Sequence, residues 1–347
     1  MKIKLAVLFG GESSEHEVSL VSASAVIDNI DREIIDPVMI GIKRTGEWYL
    51  YDGTAADIKS GKWVENTCGR VSLDLAGAGL MADGKSLDID AVFPVLHGTF
   101  GEDGTVQGML ELAKIPVVGC GSASSAVCMD KAFTKRILNA EGIPQAPAAI
   151  ITYEEYLTDA EDALDYAEVG AEGYPIFVKP ARAGSSVGVS KADSRDELRR
   201  AMDIAFKEDA KVLCEKCIVG REVEVAVLRD ADGTLTVSQC GEIDPGSEFY
   251  DYDTKYNSDC ASYFIPARIP GEIAENVRQA AEIVFRLLDC RGLARVDFFV
   301  TEEGFVFNEI NTLPGCTPIS MYPKMMEHSG VGFGELITRL VREAMAR

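Results

Sequence analysis

Short apolar runs alternate with helical patterns through the first third of the sequence, and this alternation restricts the fold more than any other feature. The apolar runs are typical of buried strands and the intervening segments of helices, with strands at 3–9, 36–42 and 90–98 and helices at about 15–30 and 104–115. Strands that alternate with helices predict a parallel sheet covered by helices. Gly10 and Gly11 follow the first strand without the G-x-G-x-x-G spacing, so a dinucleotide fingerprint is not supported.

The rest of the chain has a mixed pattern of strands, hairpins and helices. A helix is predicted at 124–143, a hairpin turning at Asp232-Gly233, and a final helix at about 333–345. We therefore predict an α/β and α+β chain of three domains. They are an N-terminal parallel α/β substrate-binding domain at 1–122, a central domain with a phosphate loop at 123–214, and a C-terminal domain with a lid loop and a metal hairpin at 215–347.

The chain is strongly acidic, with 56 Asp and Glu against 34 Lys and Arg and a formal net charge of -22. This excess argues against a nucleic-acid partner and against an anionic membrane surface. No apolar run approaches the length that a bilayer crossing needs. The opening "MKIKLAVLFGGE" lacks a long apolar core and a cleavage site, so it is interpreted as a first strand, in a cytoplasmic protein.

The nine cysteines show no framework spacing, which favours reduced thiols. Cys214 and Cys217 form a CxxC. Without a second CxxC or a nearby His, two unrelated thiols are a better interpretation than a zinc site.

An acidic hairpin is predicted at 293–311, with a three-residue loop that ends at Gly304. This register pairs Phe299 with Phe307 and Thr301 with Phe305. It also places four polar side chains on one face: Arg295, Asp297, Glu309 and Asn311. Opposed carboxylates repel unless a positive charge lies between them. Arg295 could supply that charge, but carboxylate and amide oxygens are ligands that Mg²⁺ prefers. A solvated hairpin face is the alternative.

A basic, glycine-rich loop, "KPARAGSSVGVSK", follows an apolar strand at 179–191. Its backbone amides can surround phosphate oxygens, and Lys179 at the strand end can add a fixed positive charge. The loop lacks the Walker spacing, and a flexible surface loop is the alternative. Together with an acidic metal face, it favours binding of a nucleotide with Mg²⁺.

Six segments together resemble the D-alanine–D-alanine ligase family, which has the ATP-grasp fold with a Rossmann-like N-terminal domain. The segments follow the family's order and spacing over essentially the whole chain: "LFGGESSEHEVSL" (8–20), "LHGTFGEDGTVQG" (96–108), "MDKAFTK" (129–135), "KPARAGSSVG" (179–188), "FYDYDTKY" (249–256) and "NEINTLPGCT" (308–317).

The resemblance implies a ligand for each part of the site. Residues that would bind ATP are Lys131, Lys179, Gly184, Ser186, Glu215, Lys216, Ile218 and Glu222. Two Mg²⁺ ions, with Mn²⁺ as an alternative, would be held by Asp297, Glu309 and Asn311. Residues implied in catalysis are Glu15, Ser185, Tyr256, Arg295 and Gly315. His97, Lys255, Ser320 and Met321 would contact the amino-acid substrates.

The implied reaction is ATP-dependent joining of two D-alanines through an acyl phosphate, for peptidoglycan synthesis, in a homodimer. Tyr256 and Met321 resemble the D-alanine type. "IKRTGEWYLY" (42–51) and "VVGC" (117–120) also resemble D-alanine–D-serine ligases, so D-serine is the alternative second substrate. Another ATP-grasp ligase would share Lys179 but lack Glu15, and a non-catalytic relative should have lost Arg295 or a metal ligand.

Overall fold

The computed structural model describes residues 1–77, 79–184, 187–244, 262–317 and 319–347. Its first sheet has seven strands in the order β6-β5-β4-β3-β2-β1-β7. Their bounds are β1 Ile3–Gly10, β2 Ile35–Ile42, β3 Trp48–Tyr51, β4 Thr67–Asp74, β5 Gly79–Ala82, β6 Lys85–Ser86 and β7 Ala91–Pro94. The helical segments of this part are α1 His16–Asn29, α2 Ala55–Lys59, a 3₁₀ turn at Lys62–Glu65, and α3 Thr105–Leu112.

The predicted parallel sheet comprises only three of the seven strands. Strand β1 is parallel to β2 and β7, but β2 to β6 pair in antiparallel fashion. The β5–β6 hairpin turns at Asp83-Gly84, both with positive φ. This Asp-Gly dipeptide is a strong hairpin signal, and it predicts the turn from the sequence alone. The segment 116–120 next to β7 forms a single bridge, between Val92 and Val117.

The helix predicted at 124–143 is two helices, α4 Ser122–Met129 and α5 Lys131–Ala140. Asp130 separates them. Its side chain accepts hydrogen bonds from the backbone N–H groups of Ala132 and Phe133, so it caps α5. The cap places Lys131 at the first position of a new helix.

The second sheet is antiparallel, in the order β10-β9-β11-β8. Its strands are β8 Ala148–Thr152, β9 Ile176–Pro180, β10 Ser190–Ala192 and β11 Lys211–Lys216, with helices α6 Tyr153–Thr158, α7 Ala160–Gly170 and α8 Arg195–Ala205. Apolar residues of α7 and α8, among them Leu164 and Leu198, are fully buried against it. The predicted domain boundary after residue 214 falls inside β11.

The third sheet has the order β15-β14-β12-β16-β17, and β13 pairs with β12. The strands are β12 Arg221–Arg229, β13 Leu235–Val237, β14 Gly241–Asp244, β15 Ser262–Phe264, β16 Leu293–Thr301 and β17 Gly304–Asn311. The helices are α9 Gly271–Leu287, α10 Met321–His328 and α11 Phe333–Met345. The hairpin predicted to turn at Asp232-Gly233 is confirmed, and Gly233 has a φ of 85°.

The acidic hairpin has the predicted register at its base and a different register at its tip. Arg295 pairs with Asn311 and Asp297 with Glu309, as predicted. Beyond them the register shifts by one residue, because Asn308 is left without an opposite partner in a β-bulge. Phe307 therefore pairs with Phe298 and not Phe299, and Phe305 pairs with Val300 and not Thr301.

None of the described helices combines the length and the apolar character that a membrane crossing requires.

Candidate active site

A cavity of about 850 Å³ is lined by residues of the second and third sheets, of helix α1 and of the loops around them. Fifteen described residues that the sequence singled out contribute to its wall. They are Glu15, His97, Lys131, Lys179, Gly184, Glu215, Lys216, Ile218, Glu222, Arg295, Glu309, Asn311, Gly315, Ser320 and Met321. Asp297 lies directly behind this wall. The remaining four, Ser185, Ser186, Lys255 and Tyr256, lie outside the described residues.

A buried carboxylate with two ammonium partners forms one side of the cavity. The two oxygens of Glu215 lie 2.8 Å from Nζ of Lys135 and 2.7 Å from Nζ of Lys179. Burial alone would raise the pKa of Glu215, but the two lysines outweigh it and hold the pKa at about 2. Burial alone would lower the pKa of Lys179, but Glu215 outweighs it and raises that pKa. The group is therefore ionised throughout the neutral range.

The bulge in β17 brings two successive side chains to the pocket lysines. Nζ of Lys179 donates to Oδ1 of Asn308 over 3.2 Å, and Nζ of Lys131 lies 3.5 Å from Oε2 of Glu309. In a regular strand neighbouring side chains point to opposite faces. Phe307 on one side of this pair is buried in the core. The bulge thus adds Asn308 to the cavity wall without removing Glu309 from it.

Arg295 is held by two carboxylates, that of Asp297 two residues further along β16 and that of Glu224 on the neighbouring strand β12. It donates to the two oxygens of Asp297 over 2.8 and 2.7 Å, and its Nε lies 3.1 Å from Oε1 of Glu224. Burial would lower the Arg295 pKa, but Asp297 and Glu224 raise it well above its ordinary value. Asn311 also donates to Asp297, over 3.1 Å. The guanidinium is therefore a fixed positive charge at the cavity wall.

The predicted metal residues lie together at the base of the hairpin. Asp297 and Glu309 are paired across β16 and β17, and Asn311 contacts Asp297. Hard oxygen donors of this kind suit Mg²⁺ better than softer metals. No group of three or more His, Cys, Asp or Glu side chains with metal-binding geometry occurs among the described residues. The predicted set differs, because it contains two carboxylates and an amide.

The far end of the cavity is built from α1 and the loop after β7. Glu15 precedes α1 but its side chain does not cap that helix. A Cβ atom placed on Gly98 or Gly184 would lie 2.6 or 3.0 Å from Oε2 of Glu15, so both glycines approach the carboxylate closely. The basic loop therefore meets the N-terminal part of the chain at Glu15.

His97 and Glu102 lie beside Glu15. Nε2 of His97 is 3.0 Å from Oγ of Ser22. Burial lowers the His97 pKa despite the nearby Glu15. Burial, with a further contribution from Glu15, raises the pKa of Glu102 to about 8, although Oε2 of Glu102 accepts a hydrogen bond from the N–H of Gly98 over 2.7 Å. Burial at this end of the cavity thus favours the uncharged forms of His97 and Glu102.

Hydrogen bonds within the segment itself order the loop after β17. Oγ of Ser320 accepts from the backbone N–H of Thr317 over 3.1 Å and lies 2.7 Å from Oγ1 of the same residue. A Cβ atom on Gly315 would lie 2.8 Å from Oγ of Ser320. Met321 begins α10 and is buried. Gly315 is thus the small residue that allows the Ser320 hydroxyl to approach the loop backbone.

The basic loop is anchored at its first residues. Arg182 directs its backbone N–H, Nε and Nη2 to the buried carboxylate of Asp209, over 2.9, 3.1 and 2.6 Å. Nζ of Lys131 donates to the carbonyl of Ala183 over 2.9 Å. These contacts hold the start of the loop against α5 and the segment before β11.

The hinge between the second and third sheets follows β11. Ile218 and Glu222 line the cavity, while Nζ of Lys216 lies 2.7 Å from Glu172 on the outer surface. The CxxC cysteines face different surroundings, because Cys214 is buried in the core of the second sheet and Cys217 lines the cavity.

Four residues of the site were missed by the sequence analysis: Glu102, Lys135, Glu224 and Asn308. Lys135 lies in the segment 129–135, one helical turn after Lys131. Glu102 lies in the segment 96–108, a few residues after His97. Glu224 becomes visible only when β12 is paired with β16, where it lies opposite Asp297. Asn308 was missed because only the β-bulge brings its side chain to Lys179.

Two sheets that enclose a deep cavity, with a lysine-anchored glycine-rich loop over it and a carboxylate-rich hairpin beneath, define an ATP-grasp enzyme. Family comparisons agree along the chain: the model of the D-Ala–D-Ala ligase N-terminus matches residues 4–120 and that of the C-terminus matches 137–342. The chain belongs to the D-alanine–D-alanine ligase family.

Individual relatives are similar over their full length. The chain is 46% identical to the D-alanine–D-alanine ligase of Caldicellulosiruptor bescii and 48% identical to that of Acetivibrio thermocellus, covering 100% of this chain and 96% of each relative. The VanG D-Ala:D-Ser ligase structure from Enterococcus faecalis superposes with a TM-score of 0.90 at 41% identity, covering 99% of this chain and 100% of that one. The D-alanine–D-alanine ligase of Coxiella burnetii gives 0.86 at 33%, covering 99% and 95%.

Proposed function

We propose that the chain joins two D-alanines to D-alanyl-D-alanine with conversion of ATP to ADP and phosphate, and so supplies a peptidoglycan precursor. One observation carries the proposal. A single cavity contains a carboxylate at one end, Glu15, a fixed cation in the middle, Arg295, and a lysine beside a glycine-rich loop, Lys179. These are the groups that an ammonium, an oxyanion and a phosphate chain require.

The nucleotide binds in this proposal between the second and third sheets. Its base lies against the hinge at Lys216 and Ile218, and Glu222 contacts the ribose. Lys131, Lys179 and the amides of the basic loop, including those at Gly184 and Ser186, contact the phosphates. Glu215 and Asn308 keep Lys179 ionised and directed into the cavity, which supports this assignment.

The donor set fits Mg²⁺. Asp297 and Glu309 contribute anionic oxygens and Asn311 a neutral one, at the point where Lys131 approaches from the phosphate side. We propose that these three residues hold two Mg²⁺ ions, with Mn²⁺ as a substitute. Bound there, the metal would neutralise charge on the transferring phosphate. Arg295 already compensates part of the negative charge of Asp297.

The first D-alanine binds with its ammonium at Glu15 and close to His97. Its carboxylate attacks the γ-phosphorus, the bond to the bridging oxygen breaks, and ADP leaves with the electron pair. The product is an acyl phosphate. Neutral His97 suits this end of the cavity, because a second cation beside the ammonium would oppose substrate binding.

The second D-alanine binds with its carboxylate at Lys255 and Ser320 and its methyl group against Met321. Its amine, after losing a proton, attacks the acyl carbonyl, and the resulting oxyanion is stabilised by Arg295 and the N–H of Gly315. Collapse of this intermediate expels phosphate and leaves the peptide bond. Ser185 and Tyr256 would connect Glu15 to the segment that covers the site and excludes water.

D-Alanine–D-serine ligation is the second candidate, because the VanG D-Ala:D-Ser ligase structure is 41% identical to this chain, whereas the Coxiella burnetii D-alanine–D-alanine ligase structure is 33% identical. The full-length sequence relatives at 46% and 48% identity favour D-alanine.

The test is phosphate release with ATP and Mg²⁺, with products identified by mass. Release with D-alanine alone, yielding the D-alanine dipeptide, supports the proposal. Release only after D-serine is added, with a mixed dipeptide, moves the assignment to the second candidate. Turnover only with another amine and carboxylate would refute both.

Assembly and location are also proposed from the family. We expect a homodimer, a cytoplasmic location, and no nucleic-acid or membrane partner, in keeping with the net charge of -22. Sedimentation and fractionation measurements test these points directly.

A further inference from the structure

Three cysteines from distant parts of the sequence converge behind the nucleotide end of the cavity. Cys120 follows the first sheet, Cys128 lies on α4, and Cys290 lies between α9 and β16. All three are buried, and they belong to one apolar cluster. The proposed ligase reaction uses none of them.

Cys128 and Cys290 are close enough to react with each other. Their Sγ atoms lie 3.9 Å apart, and Oγ of Ser124 lies 3.5 Å from the Cys290 sulfur. Cys120 is also a neighbour of Cys290, with which it shares a hydrogen bond, and its Sγ accepts from the N–H of Arg291 over 3.4 Å. A disulfide needs sulfurs about 2.05 Å apart, so modest side-chain rotation must bring the pair together.

The three thiols differ in their access to the active-site cavity. Cys128 lines the wall of the active-site cavity, whereas Cys120 and Cys290 do not. The hydrogen bond with Cys120 lowers the pKa of Cys290, but Cys128 and burial outweigh it and raise that pKa well above its ordinary value. Burial raises the pKa of Cys120 in the same way. Neither of these two thiols is therefore suited to react first.

We propose that Cys128 and Cys290 are an oxidisable pair that closes to a disulfide when a small peroxide enters through the nucleotide cavity. The bond would tie α4, directly ahead of Lys131, to the segment that leads into β16 with Arg295 and Asp297.

The chemistry balances with hydrogen peroxide as the oxidant. The Cys128 sulfur attacks one peroxide oxygen, the O–O bond breaks, and water leaves with the thiol proton, giving a sulfenic acid. The Cys290 sulfur then attacks the Cys128 sulfur, the S–O bond breaks, and a second water leaves with the Cys290 proton. Two thiols lose one electron each, and the two peroxide oxygens gain them.

The experiment maps disulfides in the reduced full-length chain after exposure to hydrogen peroxide, blocking of free thiols, and digestion without reductant. Trypsin leaves Cys120 and Cys128 on one peptide, 115–131, and Cys290 on 287–291. The expected product is these two peptides linked, with a mass 2 Da below their sum. Cys120→Ser should keep the link, and Cys290→Ser should abolish it.

Several outcomes would overturn the proposal. They are loss of the link in Cys120→Ser, a link from Cys128 to a different cysteine, or a Cys290 that stays free while Cys128 accumulates sulfinic acid. Circular dichroism of each variant verifies folding. In the unaltered chain, fragmentation of the linked peptides distinguishes Cys128 from Cys120 without any substitution.

Two further measurements test the route and the need for the folded state. Saturating ATP should slow formation of the link at least about tenfold, because the nucleotide would cover Cys128; an unchanged rate would refute entry through the cavity. Oxidation in denaturant should give mixed pairings, since only the fold brings these residues together. Neither readout depends on ligase turnover, so failure of this proposal is distinguishable from failure of the proposed function.

Discussion

Lys179 and Glu215 form an ion pair 2.7 Å long within the cavity wall, where Glu215 is buried and Lys179 is partly buried. Lys179 is near the end of β9 and Glu215 near the end of β11, which are antiparallel neighbours. Their charges compensate for a desolvation cost that neither residue could bear alone. The ion pair therefore stabilises this wall of the cavity and also keeps Lys179 positively charged for an anionic ligand.

Glu215→Gln should lower the free energy of unfolding by about 3 kcal/mol at pH 7, because it leaves two buried ammonium groups, Lys135 and Lys179, without their carboxylate. Chemical denaturation of both proteins measures the difference. Glu172→Gln is a matched control, since the pair of Glu172 with Lys216 is exposed and contributes little. Equal effects of the two substitutions would contradict this account.

The same pair predicts an acid limb of the stability curve. The folded-state pKa of Glu215, about 2, lies below the unfolded value, so its contribution is complete above about pH 4.5 and is lost as the pH falls toward 2. The raised pKa of Lys179 places the corresponding loss above its ordinary value of 10.5. Unfolding of Glu215→Gln between pH 5 and pH 2 should have a shallower slope than that of the unaltered chain.

Glu102 gives the opposite pH dependence. Its folded-state pKa, about 8, lies above the unfolded value, so the unaltered chain loses stability from this group as the pH rises from about 4.5 to 8. Glu102→Gln retains an acceptor for the Gly98 N–H and carries no charge. It should gain on the order of 3 kcal/mol relative to the unaltered chain between pH 5 and pH 8. Melting curves across this range test it, and parallel curves would exclude a buried, neutral Glu102.

Asp209→Asn should weaken nucleotide binding by loosening the start of the basic loop. We expect KM for ATP to rise several-fold, with about 1 kcal/mol of stability lost because the Arg182 side chain is partly exposed. Asp230→Asn is the control, since Asp230 makes a similar two-oxygen contact with Arg339 outside the cavity. Asp230→Asn should lose a comparable amount of stability while its KM for ATP stays unchanged. If KM for ATP rose in both variants, the rise would be a general effect of destabilisation.

Asp297→Asn should raise the Mg²⁺ concentration needed for half-maximal activity by at least about tenfold, because one anionic ligand is lost. Glu224→Gln removes the other carboxylate beside Arg295 and serves as the comparison. It should lower turnover with little change in the Mg²⁺ requirement. Titration of activity with Mg²⁺ distinguishes the two variants. An equal shift of the Mg²⁺ requirement in both would mean that Asp297 acts only by holding Arg295 and binds no metal.

Local patterns predicted those parts of the site that depend on neighbouring residues in the chain. The pairs Arg295 with Asn311 and Asp297 with Glu309 followed from alternation and a nearby turn. Among the antiparallel strands between β2 and β7, β3, β5 and β6 were missed because they are only two to four residues long. The tip of the hairpin was wrong because a bulge is set by packing of Phe298 on Phe305 and Phe307, which alternation does not encode.

Long-range contacts account for most of what the sequence did not reveal. Glu224 meets Arg295 only through pairing of β12 with β16, and Lys135 meets Glu215 only through the approach of α5 to β11. The break at Asp130 was available locally, since Asp is a favoured N-cap, but an uninterrupted apolar pattern concealed it.

The bulge at Asn308 also bears on how this hairpin can be redesigned. The bulge offsets the register of the hairpin by one residue. If Asn308 were deleted, the phenylalanines at the tip and the polar residues at the base of the hairpin could not both keep their present faces of the sheet. Either Glu309 and Asn311 would keep their side of the sheet and Phe307 would rotate into water, or the reverse. A chimera that exchanges β17 with a relative must therefore carry Asn308 along with Glu309 and Asn311.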